Sequence, residues 1–284
     1  MPLPPLTEWT ATAHGLHRAA QILAGIRLLL LPHVPNYLEL ALSPVPEGLS
    51  TGRLPSGGEI VLDMRRCALI YHHDEEPETA IPLAATTQAY ANRALLNALS
   101  RGELAGTLAY VDDDGLLQAF TDALKAKRPD LPPDHLSFME TDPLNIDPVI
   151  ARDYAAVLDA AFTGISRFRS RLGGHWSPAV VFPEHFDLST IWFQGADFDQ
   201  NKAHIAVGFA PFSPGFPRPY WYAYAYPYPD EPTYPNLPKP AYWNFEPWRG
   251  VVVDYDAIAA QEDPSVFIER ISLDVFHILR GMLE

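Results

Sequence analysis

Residues 220–229 read Tyr-Trp-Tyr-Ala-Tyr-Ala-Tyr-Pro-Tyr-Pro and predict a β-strand with two unlike faces. Side chains of a strand alternate between faces, so the tyrosines at 220, 222, 224 and 226 share one side. Trp221, Ala223 and Ala225 lie on the other side, where the small alanines allow a helix or a ligand to come close. A tyrosine ring favours burial while its hydroxyl favours a polar partner. The pattern is therefore typical both of a pocket wall and of a sheet packed under a helix.

Helical and strand patterns follow the same order in each half of the chain. A helix at 8–31 precedes short strands, the first at 37–42, and a second helix at 86–99. After Asp147-Pro148 the order begins again, with a helix, five strands and a closing helix. The sequence predicts an α+β fold of two pseudo-repeated helix–antiparallel sheet–helix halves packed into one globular unit. The predicted divisions are 1–101, a connecting segment at 102–146, and 147–284.

Composition excludes several classes of function. The formal net charge of −15 argues against partners such as nucleic acids or anionic membranes. Cys67 is the only cysteine of the chain, which excludes an intrachain disulfide and a cysteine-rich metal site. No apolar run approaches the roughly 18 residues of a membrane span, and no secretory leader is recognisable. We expect a soluble, cytoplasmic protein of bacterial composition, rich in Ala, Leu and Pro.

Standard motifs of cofactor and metal chemistry do not occur in the sequence. It contains no Gly-x-Gly-x-x-Gly, no Gly-Lys-Ser phosphate loop, no Gly-x-Ser-x-Gly and no His-Glu-x-x-His. Ten histidines and many carboxylates are present, yet no pair has the spacing of a known ligand motif. The sequence therefore predicts neither a cofactor nor a metal.

Polar residues within apolar segments are the candidates for a site. His17 and Gln21 are four residues apart and share a face of the first helix. Asp187 lies in the polar turn Pro183–Leu188, in which a carboxylate beside His185 could orient the imidazole as a general base or supply two ligands to a metal. His204 opens an apolar strand, where a buried imidazole needs a partner. Together with an aromatic wall these residues form the predicted ligand-binding set: His17, Gln21, Asp187, Trp192, His204, Trp221, Tyr222 and Tyr224.

Landmarks along nearly the whole chain resemble an uncharacterised bacterial family, domain of unknown function 5996. The resemblance rests on the order of short matching pieces: Trp9-Thr10, Leu16-His17…Gln21…Arg27, Gly48-Leu49-Ser50-Thr51, Asp147-Pro148, Ser177-Pro178…Phe186-Asp187-Leu188, Gly208-Phe209…Tyr222 to Pro229, Asp254-Tyr255-Asp256-Ala257 and Asp263-Pro264.

The chain also departs from this family pattern, at three places where the family carries histidines and aromatic residues. Pro35–Glu39, Val180–Pro183 and Ala203–Ile205 replace most of them. The resemblance therefore implies an architecture and no established activity, and this member has lost or rebuilt most of any site that those residues form.

Two functions of different classes remain open. One is a small-molecule site, catalytic or not, in an aromatic-lined cleft between the two halves. The other is a non-catalytic contact surface on the Pro- and aromatic-rich loop Tyr234–Trp248, because such residues are enriched at interface hot spots. The sequence identifies no catalytic residue and leaves the oligomeric state open.

Overall fold

A computed structural model describes residues 2–55, 57–74, 76–100, 104, 115–129, 138–228 and 234–283. Helices and two antiparallel sheets make up these residues, so the predicted α+β class is confirmed. The chain divides into two compact units. The N-terminal unit comprises Thr7–Ala155 and Phe182–Phe186, and the C-terminal unit comprises Met1–Leu6, Ala156–Val181 and Asp187–Glu284. Much of the predicted connecting segment, at 102–103, 105–114 and 130–137, lies outside the described residues.

The N-terminal unit is built around helix α1, Trp9–Leu30. Its sheet follows chain order, with antiparallel strands at Ser43–Val45 (β1), Gly48–Arg53 (β2), Glu59–Asp63 (β3), Ala68–His73 (β4) and Glu76–Pro82 (β5). Gln88–Leu99 (α2), Leu116–Lys127 (α3) and the start of Pro148–Ser170 (α4) complete the unit. Leu16, Leu23 and Ile26 are fully buried, because α1 packs against the sheet, α2 and α3.

A buried ionic network follows α1, where the sequence predicted a strand at 37–42. That strand prediction is wrong, since Pro35–Tyr37 forms a 3-10 turn in which Asn36 and Tyr37 have φ of 60° and 55°. After this turn the Glu39 side chain is buried, with 1% of its surface exposed. Its Oε1 lies 2.5 Å from Arg128 Nη1 and 2.8 Å from His33 Nδ1. Glu39 is therefore a paired buried carboxylate.

The C-terminal unit contains the second sheet. Its strands are His175–Trp176 (β6), Val180–Phe182 (β7), Asp187–Phe193 (β8), His204–Ala210 (β9), Tyr220–Tyr226 (β10), Tyr242–Asn244 (β11) and Gly250–Asp254 (β12). The spatial order is β11-β12-β10-β9-β8-β6, and β7 also pairs with β8. Two helices follow, Tyr255–Ala259 (α5) and Pro264–Leu283 (α6). The strand order is not sequential as it is in the first sheet, so the predicted internal repeat is not confirmed.

Helix α6 covers the alanine face of β10. The Trp221 indole Nε1 donates a hydrogen bond of 3.0 Å to Ser272 Oγ on α6, and Ala223 is fully buried. The small side chains thus admit a helix on this face. The opposite face of the same strand carries the tyrosines. Among the described residues, no helix is long and apolar enough to cross a membrane.

Candidate functional site on the tyrosine face

The tyrosine face is the side of the C-terminal sheet that carries Tyr220, Tyr222, Tyr224 and Tyr226. Opposite Tyr220, Tyr222 and Tyr224 the neighbouring strand β9 presents the small residues Ala210, Gly208 and Ala206. A side chain at Gly208 would overlap the Tyr222 ring, so this glycine allows the ring to lie flat across the sheet. The strand pairing thus converts an alternating sequence into an aromatic surface.

Aromatic rings on this face contact each other in a continuous row. The rings of Tyr222 and Tyr224 are stacked, with centroids 6.3 Å apart and planes 10° apart. Tyr220 stacks on Trp248 at 6.3 Å and lies 4.5 Å from Phe216. Contacts of this geometry are favourable beyond the area that they bury. The row therefore forms a rigid aromatic wall.

Asp187 and Tyr222 form the polar centre of the wall. The Tyr222 hydroxyl donates a short hydrogen bond to the Asp187 carboxylate. Burial, followed by the charge of Asp187, raises the pKa of Tyr222 well above its ordinary value, and the same two causes raise the pKa of Tyr224. Both phenols are therefore neutral at physiological pH, and Tyr222 acts as a fixed hydrogen-bond donor.

His204 lies at the far end of the row. Its ring stacks on Tyr226 at 5.2 Å and meets the edge of Tyr224 at 6.0 Å. Its Nδ1 lies 2.9 Å from the Lys202 carbonyl oxygen, to which it donates, so that Nε2 carries the lone pair. Burial lowers the pKa of His204, against the smaller opposing effect of this hydrogen bond. The imidazole is therefore neutral and held in one tautomer.

A cavity of about 500 Å³ opens at the other end of the row. The rings of Phe216, Tyr220, Tyr242 and Tyr255 line it together with Asp254, Asp256 and Arg218. Asp254 lies directly across from Tyr220 in the pairing of β12 with β10. Its Oδ1 accepts a hydrogen bond of 2.9 Å from the Tyr242 hydroxyl, whose pKa is raised to about 12 by burial and by Asp254. We call this space the Asp254 cavity.

The charges around the Asp254 cavity are unequally matched. Arg218 Nη1 donates to both oxygens of Asp256 at 2.7 and 2.9 Å, and its guanidinium lies 5.2 Å above the Tyr255 ring. Within the described part of the chain, no lysine, arginine or histidine pairs with Asp254. The exposed Asp254 carboxylate beside these rings is therefore without a cationic partner among the described residues.

Four of the predicted site residues lie on the tyrosine face. Asp187, Tyr222 and Tyr224 contact one another through the hydrogen bond and the ring stack, and His204 touches Tyr224. Trp192 and Trp221 lie on the opposite face, where Trp192 packs on Phe276 of α6 at 5.6 Å. The two tryptophans therefore belong to the core beneath the helix.

His17 and Gln21 belong to the N-terminal unit, where they contact the turn that follows β7. His17 Nε2 lies 2.7 Å from the Pro183 carbonyl oxygen and 3.3 Å from Gln21 Nε2, and its ring stacks on Phe186 at 5.6 Å. Burial lowers the pKa of His17 from 6.5 to about 4, with small contributions from His14 and His185. The predicted cleft that would join these residues to His204 stays a prediction.

No metal-binding cluster is apparent in the described ranges, in which no three His, Cys, Asp or Glu side chains converge. The Asp254 cavity itself was absent from the predicted ligand-binding set. The available signal in the sequence is the tetrapeptide Asp254-Tyr255-Asp256-Ala257, one of the pieces that match the family pattern. Its position opposite Tyr220 depends on strand register, which the sequence of β12 alone does not specify.

The fold and this face define an α+β protein with two antiparallel sheets, one of which carries an aromatic wall ending in an acidic cavity. The chain belongs to a family of unknown function, DUF5996, whose model matches residues 1–112 and 123–274. No curated protein and no solved structure matches the chain.

Proposed function

We propose that the protein binds a small organic ammonium compound in the Asp254 cavity. The observation that carries this proposal is a carboxylate without a cationic partner among the described residues, set in a cavity with four aromatic rings. The volume of about 500 Å³ falls in the range of small-molecule sites. Tyr220 is the residue of the tyrosine face that lines the cavity, and its ring would supply the wall against which the ligand packs.

Aromatic rings and a carboxylate favour the same kind of ligand. The face of a tyrosine ring attracts cations through its quadrupole, and cages of such rings bind quaternary ammonium groups. Arg218 already demonstrates this preference, because its guanidinium stacks on Tyr255 while it pairs with Asp256. Asp254 and the rings of Tyr220 and Tyr242 offer the same combination to a ligand.

The direct experiment compares a cation with its neutral isostere. Choline and 3,3-dimethylbutan-1-ol have the same shape but differ in charge, and each is titrated into the protein by calorimetry. We expect choline to bind with a Kd of about 1 mM or lower and the alcohol about tenfold more weakly, since cation–π attraction contributes ~1 kcal/mol or more. Equal affinity for the two probes would refute a site selective for cations.

Two variants locate the binding at this cavity. Asp254→Asn removes the charge and keeps the shape, so choline binding should weaken about fivefold to tenfold. The control is Asp274→Asn on the exposed side of α6, which changes the net charge equally without touching the cavity. If both variants lose the same affinity, the effect is one of net charge and the proposed site is wrong.

The loop Tyr234–Trp248 is the alternative site of function, as a contact surface for another protein. Its rings pack on each other, since Tyr234 lies 4.8 Å from Trp243 and 5.1 Å from Phe245. Phe245 is nevertheless 49% exposed, which favours a contact role for this tip. Phe245→Ser would weaken capture of a partner without changing choline binding, which separates the two functions.

The proposed setting is the cytoplasm of a bacterial cell, with a small molecule and not a nucleic acid as the partner. The net charge of −15 and the single cysteine support it. Cys67 is buried, and burial raises the pKa of its thiol, as is typical of an inert core cysteine.

A further inference from the structure

Helices α4 and α6 form a groove in the C-terminal unit, away from the tyrosine face. The helices meet closely at Gly164, where an added Cβ would lie 2.7 Å from both Ile268 Cβ and the Ser265 carbonyl oxygen. Side chains of the two helix regions also line a space of about 700 Å³. The lining residues are Arg167, Ser170 and Arg171 of the first helix region and Val266, Glu269, Arg270 and Leu273 of the second.

The groove is basic although the chain as a whole is strongly acidic. Three of its seven lining residues are arginines and one is a glutamate, which leaves an excess of two positive charges. Arg171 binds the Glu269 carboxylate through Nε and Nη2, each at 2.9 Å, so this pair is internally neutral. Arg167 and Arg270 make no ion pair with any described residue. Two guanidinium groups therefore line one groove without a counterion from the part of the chain that the structure describes.

Two acidic residues lie close to the groove along the chain, Asp263 before α6 and the exposed Asp274 four residues after Arg270. Among the described residues, neither forms an ion pair with an arginine of the groove. Asp263, which precedes α6, accepts a hydrogen bond from the Val266 backbone N–H and so caps the helix. The exposed Arg270 guanidinium lies 5.8 Å above the Phe267 ring, a contact that orients it without cancelling its charge. Val266 and Leu273 add apolar surface to the same groove.

We infer that this groove is a second binding site, for an organic phosphate monoester. Planar guanidinium groups suit the bidentate recognition of phosphate oxygens, and two of them match a dianion. The volume exceeds that of inorganic phosphate, and the Val266 and Leu273 side chains suit an apolar or ring-bearing substituent. The inference uses none of the residues of the Asp254 cavity and stands independently of the proposed function.

The test uses phenyl phosphate as the probe, with phenol and inorganic phosphate for comparison. Calorimetric titration of the full chain should give binding of phenyl phosphate that is about tenfold tighter than that of inorganic phosphate and no measurable binding of phenol. Affinity should fall as the salt concentration rises, because the contacts are ionic and exposed. If no binding of phenyl phosphate is detected up to about 10 mM of the probe, the inference is overturned.

Variants confine the result to the groove. The double variant Arg167→Gln and Arg270→Gln should weaken phenyl phosphate binding about tenfold or more. Both arginines are exposed, so a normal circular dichroism spectrum is expected from the variant. The control, Arg65→Gln combined with Arg152→Gln at two exposed arginines outside the groove, removes the same two charges and should bind as the wild type does. Equal losses in the control and the double variant would overturn the assignment.

Discussion

Tyr222 illustrates how a single hydroxyl stabilises the tyrosine face. Its hydrogen bond goes to the charged Asp187, and bonds to charged groups contribute more than neutral ones do. We predict that Tyr222→Phe lowers the free energy of unfolding by about 1.5–3 kcal/mol, measured by urea denaturation. Tyr224→Phe is the control, because its ring lies in the same stack without a hydrogen bond to Asp187. Equal losses of unfolding free energy in the two variants would contradict the role of the hydrogen bond between the Tyr222 hydroxyl and Asp187.

His17 should make the stability of the protein depend on pH. The unfolded chain binds a proton at this residue near pH 6.5, whereas the folded chain binds it only near pH 4, because burial disfavours the imidazolium. The free energy of unfolding is therefore not lowered by His17 protonation above pH 6.5. It falls by about 3 kcal/mol as the pH decreases from 6.5 towards 4.

The variant His17→Gln removes this titration while it keeps a side chain able to donate to Pro183. Urea denaturation of both proteins between pH 7 and pH 4 should show the wild type losing about 3 kcal/mol more than the variant. His277→Gln, on an exposed position of α6, serves as the control histidine. Parallel pH profiles of wild type and His17→Gln would contradict the account.

At the scale of elements, Gly208 determines how β9 supports the aromatic row. A methyl group there would collide with the Tyr222 ring and with the Leu188 carbonyl oxygen, 2.6 Å away. Gly208→Ala should therefore destabilise the protein by about 1–3 kcal/mol, as over-packed cores do. Gly173→Ala is the control, because no atom lies within 4 Å of its added Cβ. Thermal unfolding measures both, and an unchanged Gly208→Ala protein would show that the ring is not held against β9.

The network at Glu39 ties the end of α3 to the turn after α1. Arg128, 8% exposed, and His33, whose side chain is 64% exposed, bind the same carboxylate. Removal of the buried partner should cost about 3–5 kcal/mol, since Glu39 would remain buried with its charge, and removal of the exposed one less than about 1 kcal/mol. Urea denaturation of Arg128→Gln and His33→Gln measures the difference. Similar costs for the two variants would contradict the importance of burial.

Local patterns predicted some of these elements and failed at others. The alternation in 220–226 is a local signal, and the strand follows it residue by residue. The segment 37–42 has the apolar residues of a strand, but the left-handed conformations of Asn36 and Tyr37 turn the chain first. The sequence could not show the Asp254 cavity, because Asp254 and Tyr220, which are 34 residues apart along the chain, meet only through the pairing of β12 with β10. The loop between β9 and β10 then completes the lining.

At the scale of the whole molecule, the α+β class followed from the order of helices and short strands. The predicted internal repeat is not confirmed. The strands of the first sheet follow chain order, whereas those of the second are arranged β11-β12-β10-β9-β8-β6. Of the predicted site, the part on one strand face came together, since period-two alternation places Tyr222 and Tyr224 on the same side. Trp221 illustrates the remaining ambiguity, because the alanine face suited a helix and a ligand equally until α6 was seen to cover it.

The central claim, that the tyrosine face ends in a cation site, is tested most directly by crystallography with an anomalous probe. In crystals soaked in 4-bromobenzyl-trimethylammonium, the anomalous scattering of bromine distinguishes the ligand from solvent and from protein atoms. We expect a bromine peak within the Asp254 cavity, with the ammonium group against Asp254 and the rings of Tyr220 and Tyr242. An anomalous peak at another place, or an empty cavity in crystals whose cavity is open to solvent, would contradict it.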